Sequence, residues 1–284
     1  MPRATKILWV DFELGCYHNL EEAKRLWPAV SRYPAFVEKA KSDTFVAMCG
    51  GGQLSSAQWL NSVMVVEPEN KTRAFQSACI MGHDDVVQWL VGLGGVDVHV
   101  HNDLPFRNAC KDQGAIAKFL HSLGGVDIHA EEDAAFVNAC SGGCIDIAQW
   151  LHSLGGVDIH TQKDNAFVLA CTRQDLDVAK WLHSLDTGAE WHLDNAFDLA
   201  AAYDNREGLQ WLCTVGSISR KGWEEALFDA NENEFMETVR WLLARSPFPL
   251  SPSLPPPPDT KFASKRWIRR VQWRCRLCSD DEMK

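Results

Sequence analysis

Followed as a succession of apolar and polar positions, the chain repeats itself. Ala74 opens the stretch AFQSACIMGHDDVVQWLVGLGGVDVH, Ala135 opens AFVNACSGGCIDIAQWLHSLGGVDIH, and Ala166 opens AFVLACTRQDLDVAKWLHSLDTGAEWH. The leading aromatic recurs at Phe45, Phe75, Phe106, Phe136, Phe167 and Phe197, with Leu227 in its place in the last unit, at steps of 30 or 31 residues. A second aromatic column follows at Trp59, Trp89, Trp150, Trp181, Trp211 and Trp241, with Phe119 standing one residue early in its own unit. A fixed period of this length is the mark of a repeat array, in which no unit buries its apolar face alone.

Within one unit the pattern predicts two short helices. Phe136, Ala139 and Cys140 follow at spacings of three and four, which places them on one helix face. After the Gly142-Gly143 turn, Ile147, Ala148, Trp150, Leu151 and Leu154 form a second apolar face. Ser42, Thr72, Asp103, Asp133, Asp164 and Asp194 stand three positions before the opening residue and are expected to cap the first helix. Gly94, Gly124 and Gly155 are expected to stop the second in a left-handed conformation. Trp27 fits the second column and points to a divergent unit over Leu20–Trp27. The expected organisation is a divergent N-terminal capping unit over 1–41, about seven repeats over 42–245, a Pro-rich linker over 246–260 and a basic amphipathic tail over 261–284.

Cysteine usage changes the picture little. Of ten cysteines, Cys49, Cys79, Cys110, Cys140 and Cys171 share one repeat position, and stacking should hold them about 10 Å apart, too far for disulfides. They read as reduced core residues. Cys275-x-x-Cys278 lacks a second pair, and Cys140 and Cys144 belong to different structural positions. Seven of the ten histidines also fall into columns: His99, His129, His160 and His192 in the loop, and His121, His152 and His183 in the second helix. A zinc site needs three or four ligands on one point, whereas columns supply one histidine per unit, so no metal and no cofactor are expected. Phosphate-loop, G-x-S-x-G and H-E-x-x-H signatures are absent, and no catalytic residue is proposed. No stretch of 18 apolar residues and no signal-like start occur, so the chain is expected to be soluble, non-secreted and cytoplasmic.

The unit A-F-x-x-A-C, a G-x-h-D-h-A turn, then W-L and G-G-V-D-I-H resembles the ankyrin repeat. The motif T-P-L-H-x-A-A is matched by Asn165-Ala166-Phe167-Val168-Leu169-Ala170-Cys171, and G-H-x-x-V-V by Gly82 to Val87. The wording with W-L-H-S-L-G-G-V-D-I-H is similar to the divergent short repeats of protists and large DNA viruses, which would place the chain in a host cytoplasm. The resemblance implies an all-α, helix-turn-helix solenoid. The period is two or three residues under the family's, which predicts short turns where hairpin fingers would stand.

The resemblance also implies a non-enzymatic protein-interaction scaffold, binding a partner on its concave face through turn tips and the exposed side of the first helices. The matching positions are Gln76, Asp103, Arg107, Glu131, Glu132, Val137, Lys163, Asp164, Val168, Asp194 and Asp198. A ubiquitin-ligase substrate adaptor, or a viral effector aimed at a host factor, is the alternative, and an enzyme ranks below both. Charge refines the partner. The chain carries 28 Lys+Arg against 38 Asp+Glu, and eight of the basic but only four of the acidic residues lie beyond Pro258. The acidic array should repel nucleic acid and favour a basic protein partner, and a monomer is expected. In the tail, Arg266, Trp267, Arg270, Trp273 and Arg274 belong to a basic amphipathic stretch. It would dock on the array, reach a second partner or an anionic membrane, or stay disordered.

Overall fold

A computed structural model describes residues 3–248. The linker beyond residue 248 and the whole tail, including Arg266, Trp267, Arg270, Trp273 and Arg274, lie outside the described residues. Every described element is a helix and no strand occurs among them, as the two-helix unit predicts. The chain divides into two compact units between residues 135 and 136.

In the first unit, α1 (Arg3–His18) and α2 (Leu20–Val30) form an antecedent pair. α3 (Pro34–Lys39) passes through a π turn (Ala40–Thr44) directly into α4 (Phe45–Gly50), so the expected boundary at 41/42 falls inside continuous helix. α4 pairs with α5 (Leu54–Val63), α6 (Pro68–Met81) with α7 (Asp84–Leu93), and α8 (Val100–Ala109) with α9 (Gly114–Ser122). The division falls within α10 (Ala130–Gly142). The second unit then continues with α11 (Ile145–Leu154), α12 (Thr161–Ala170) and α13 (Asp177–Leu185), α14 (Leu193–Ala202) and α15 (Arg206–Val215), and α16 (Arg220–Glu232) and α17 (Met236–Arg245).

The aromatic columns meet across repeat junctions. Phe45 packs on Trp89 of the next repeat with ring centroids 6.3 Å apart, Phe136 on Trp181 at 6.2 Å and Phe167 on Trp211 at 6.0 Å. All six phenylalanines of the first column are fully buried. Burial of each ring contributes about 2–3 kcal/mol, so the junctions, more than the helices, hold each repeat in place. His152 and His183 lie edge-on to Trp181 and Trp211 of the following repeat, at 5.8 and 5.9 Å, which gives the second-helix histidine column a packing role. Serine hydroxyls finish the second helices: Ser62, Ser122, Ser153 and Ser184 each donate to the carbonyl three residues earlier, at 2.6 Å.

The divergent first repeat begins earlier than its Trp27 suggests. Phe12 and Cys16, both buried, repeat the F-x-x-x-C spacing of Phe45 and Cys49. Phe12 packs on Trp27 at 5.6 Å and on Trp59 at 6.3 Å, and Trp27 meets Trp59 edge-on at 6.0 Å. The cysteine column is buried as expected, and burial pushes the Cys49 and Cys79 thiols up to about 12 and those of Cys140 and Cys171 higher still. These thiols stay protonated and unreactive at neutral pH.

Two expectations about helix ends are corrected. Gly94 and Gly155 do take positive φ, 72° and 91°, but with ψ of 168° and 158°. That extended region belongs to glycine alone and is not the left-handed helical cap. The Thr/Asp column, moreover, does not cap its own first turn. Thr72 lies inside α6, and its Oγ1 accepts the Asp97 N–H at 3.1 Å. Asp103 Oδ2 accepts the Asp127 N–H at 3.0 Å, Asp164 Oδ2 the His192 N–H at 2.8 Å, and Asp194 Oδ1 the Ser219 N–H at 2.8 Å. Each side chain thus ties its repeat to the loop entering the next. Ser42 instead donates to Asp43 within the π turn.

Candidate functional site

The loop between repeats is where the short period shows. After each second helix the Asp of V-D-h-H folds back on the chain: Asp97, Asp127 and Asp158 accept the N–H of His99, His129 and His160 at 2.9–3.0 Å. Each histidine then presents Nδ1 to the aspartate four residues on, at 2.6 Å for His99 and Asp103, 2.7 Å for His129 and Asp133, and 2.6 Å for His160 and Asp164. A carboxylate can only accept, so Nδ1 carries the hydrogen in each pair. The loop histidine column is therefore a brace. Its signal, His-x-x-x-Asp recurring at His99, His129 and His160, stood in the sequence unread.

The brace holds an unusual tip. His101, Asn102 and Asp103 all have φ between 53° and 59°, and the same triple recurs at Glu131–Asp133 and Gln162–Asp164. Three successive left-handed residues without glycine are costly, on the order of 1–2 kcal/mol each, and persist only where surrounding contacts impose them. In the first unit those contacts include Arg107, which donates from Nε to the Asn102 carbonyl and from Nη2 to that of His101, both at 2.9 Å. Asn102 Nδ2 in turn donates to Glu131 Oε1 at 2.9 Å, joining neighbouring tips.

The structure sorts the expected partner-binding residues into two groups. Asp103, Val137, Asp164 and Val168 are buried, between 2% and 7% exposed, so they support the face without presenting themselves on it. The left-handed tip turns its third residue, Asp103 or Asp164, inward, while Val137 and Val168 are buried at the repeat position where Arg107 stays part-exposed. Glu131, Glu132 and Lys163 are exposed, and Gln76, Arg107, Asp194 and Asp198 are partly exposed. In the first unit the tips and first helices bring Gln76, Arg107, Glu131 and Glu132 to one edge, where Gln76 Nε2 lies 3.4 Å from His101 Nδ1. In the second unit Lys163, Asp194 and Asp198 stand at the corresponding positions of α12 and α14.

Asp164 is the most heavily used of these carboxylates. Burial pushes it up, yet the hydrogen bonds from His192 and His160 outweigh burial and hold it below the usual range. His192 Nδ1 reaches its second oxygen at 2.7 Å, and Trp191 packs on both His160 and Phe167 at 4.6 Å. Asp198 behaves in the opposite sense. Burial first, then the charges of Asp229 and Glu225, push it up to about 6.

Among the described residues no group of three or more His, Cys, Asp or Glu could hold a metal ion, because the histidine columns are spaced along the stack. A shallow cavity of about 410 Å³ in the second unit, lined by Gln174, Asp204, Arg206, Glu207, Gln210 and Trp241, lacks a nucleophile–base pair. No described helix is long and apolar enough to cross a membrane.

A family model agrees with the repeat reading over part of the chain. Residues 136–183 match the family model for ankyrin repeats in many copies. Among solved structures, the chain is similar to the crystal structure of the human ASB11 ankyrin repeat domain. The two share 21% identity over 72% of this chain and 99% of that one, with a TM-score of 0.48. No curated protein matches the chain.

Proposed function

Since the chain carries ankyrin repeats, which are in general protein-interaction modules, we propose that it is a non-enzymatic scaffold binding a protein partner along its tips and first helices. The observation that carries this reading is the tip. Three successive repeats hold three left-handed residues each at the tip, and the brace beneath them, the His–Asp pair and the inter-repeat Asp hydrogen bond, is internal. The brace repeats while the side chains it presents differ: His101 and Asn102, Glu131 and Glu132, Gln162 and Lys163. A constant frame with variable outward residues suits tailored recognition. Acidic residues outnumber basic ones in the array, which favours a basic partner, and the acidic tips would turn away nucleic acid.

Charge reversal on the face tests the proposal. Glu131→Lys with Glu132→Lys, and separately Lys163→Glu, should weaken capture of the natural partner at least tenfold while leaving the unfolding temperature within a few degrees. Lys118→Glu on α9, a second helix, should leave capture unchanged. Loss of capture only in the α9 variant would overturn the assignment of the face.

A further inference from the structure

The first helices α14 and α16 of the second unit carry a feature that their repeat role leaves unexplained. Phe228, one position past the core column, is 44% exposed on α16. Lys221, Glu225 and Phe228 lie on one ridge at helical spacing, and Lys221 Nζ is drawn to Glu225 at 3.3 Å. Next to that ridge the Asp198 carboxyl of α14 faces Asp229 of α16, and burial first, then the Asp229 charge, push Asp198 up. The Asp198 Oδ1 atom is enclosed and accepts no hydrogen bond. Two carboxyl groups held this close repel when both ionise, and an enclosed acceptor without a donor costs about 1–3 kcal/mol. Neither feature stabilises the stack, and an exposed aromatic beside them adds an apolar contact point.

We propose that the α14–α16 face docks a segment of the protein partner carrying a lysine or arginine beside an apolar residue, with the cation at the Asp198–Asp229 pair and the apolar side chain on Phe228. The assignment rests on the first-helix reading above and names the chemistry of its partner. Charge complementarity decides the occupant: the pair is relieved by a cation, worsened by an anion and left unrelieved by a purely apolar segment. Binding should also displace a proton. Asp198 titrates near 6, so a proton competes with the cation below that pH. Affinity should therefore fall roughly tenfold from pH 7.5 to pH 5. Of the other charges facing Asp198, Glu225 pushes it up and Lys221 pulls it down.

The test pans the full chain against a randomised 12-residue displayed peptide library at pH 7.5, then measures the selected peptides by fluorescence anisotropy. Peptides that bind this face should carry arginine or lysine next to an aliphatic or aromatic residue. Replacing that arginine by citrulline, and separately Asp198→Asn or Phe228→Ala in the protein, should each raise Kd about tenfold or more. Asp198→Asn keeps the shape of the side chain, so the folded chain remains available. Selected peptides that lack a basic residue, or that bind Asp198→Asn unchanged, overturn the assignment, as does self-association of the chain that blocks peptide binding. If peptides still crosslink to first-helix positions in that case, the broader interaction reading stands. Crosslinks confined to second helices would count against both.

Discussion

Glu234 holds a backbone shape that suits it poorly. In the turn between paired helices the left-handed position is glycine at Gly52, Gly82 and Gly143, but it is Asp204 and Glu234 in the last two repeats, with φ of 55° and 60°. Asp204 compensates by accepting the Thr238 hydroxyl at 2.5 Å, whereas Glu234 is exposed and makes no such bond. Glu234→Gly should thus stabilise the chain by up to about 1 kcal/mol, read as a rise of about 2–4 °C in melting temperature. Asp198 gives a second test at this scale, with a defined pH window. Its folded-state carboxyl titrates near 6, above the unfolded value near 4. The folded state therefore holds the proton more tightly, and the associated stability is present below pH 4 and lost as the pH rises to 6. Asp198→Asn should remove that loss, making the variant more stable than the parent above pH 6 in denaturant titrations. Equal stability of the two proteins at pH 5 and pH 7.5 would contradict the assigned burial and repulsion.

At the scale of elements, what could be read in the sequence depended on periodicity. The Phe, Trp and Cys columns were visible because each serves the same packed contact in every repeat, and the two-helix unit followed from their spacing. Phe12 and Cys16 escaped notice because their repeat is longer, 33 residues to Phe45, and no W-L-H-S-L wording accompanies them. The tips were misread for a different reason. An aspartate three residues ahead of a helical aromatic fits a helix cap, yet Thr72, Asp103, Asp164 and Asp194 all reach the backbone of the next loop, with or without a left-handed tip before the helix. Of the candidate face, Glu131, Glu132 and Lys163 were legible as exposed tips, while the burial of Val137 and Val168 was not, because Gln76, Arg107 and Asp198 at the same repeat position stay part-exposed. The loop brace yields an element-scale prediction. Asp164 accepts from His160, His192 and the His192 backbone, so Asp164→Ala strips two imidazoles and one N–H of their acceptor. The variant should lose at least about 2 kcal/mol of stability. Hydrogen exchange should speed up first at the His192 amide, before the cores of α12 and α14.

For the molecule as a whole, the contacts that hold the stack and the proposed recognition residues occupy different layers of the same repeat. Junction aromatics and inter-repeat Asp hydrogen bonds hold the stack through nearest-neighbour contacts, which leaves the outward residues of tips and first helices free to vary. Site-specific photo-crosslinking tests that separation most directly. A benzophenone side chain would be placed in turn at the first-helix and tip positions Gln76, Glu132 and Lys163, and at the second-helix positions Leu93, Leu123 and Leu154, and each protein exposed to the captured partner. Crosslinks concentrated at Gln76, Glu132 and Lys163 are the predicted result. Crosslinks concentrated at Leu93, Leu123 and Leu154 would contradict it.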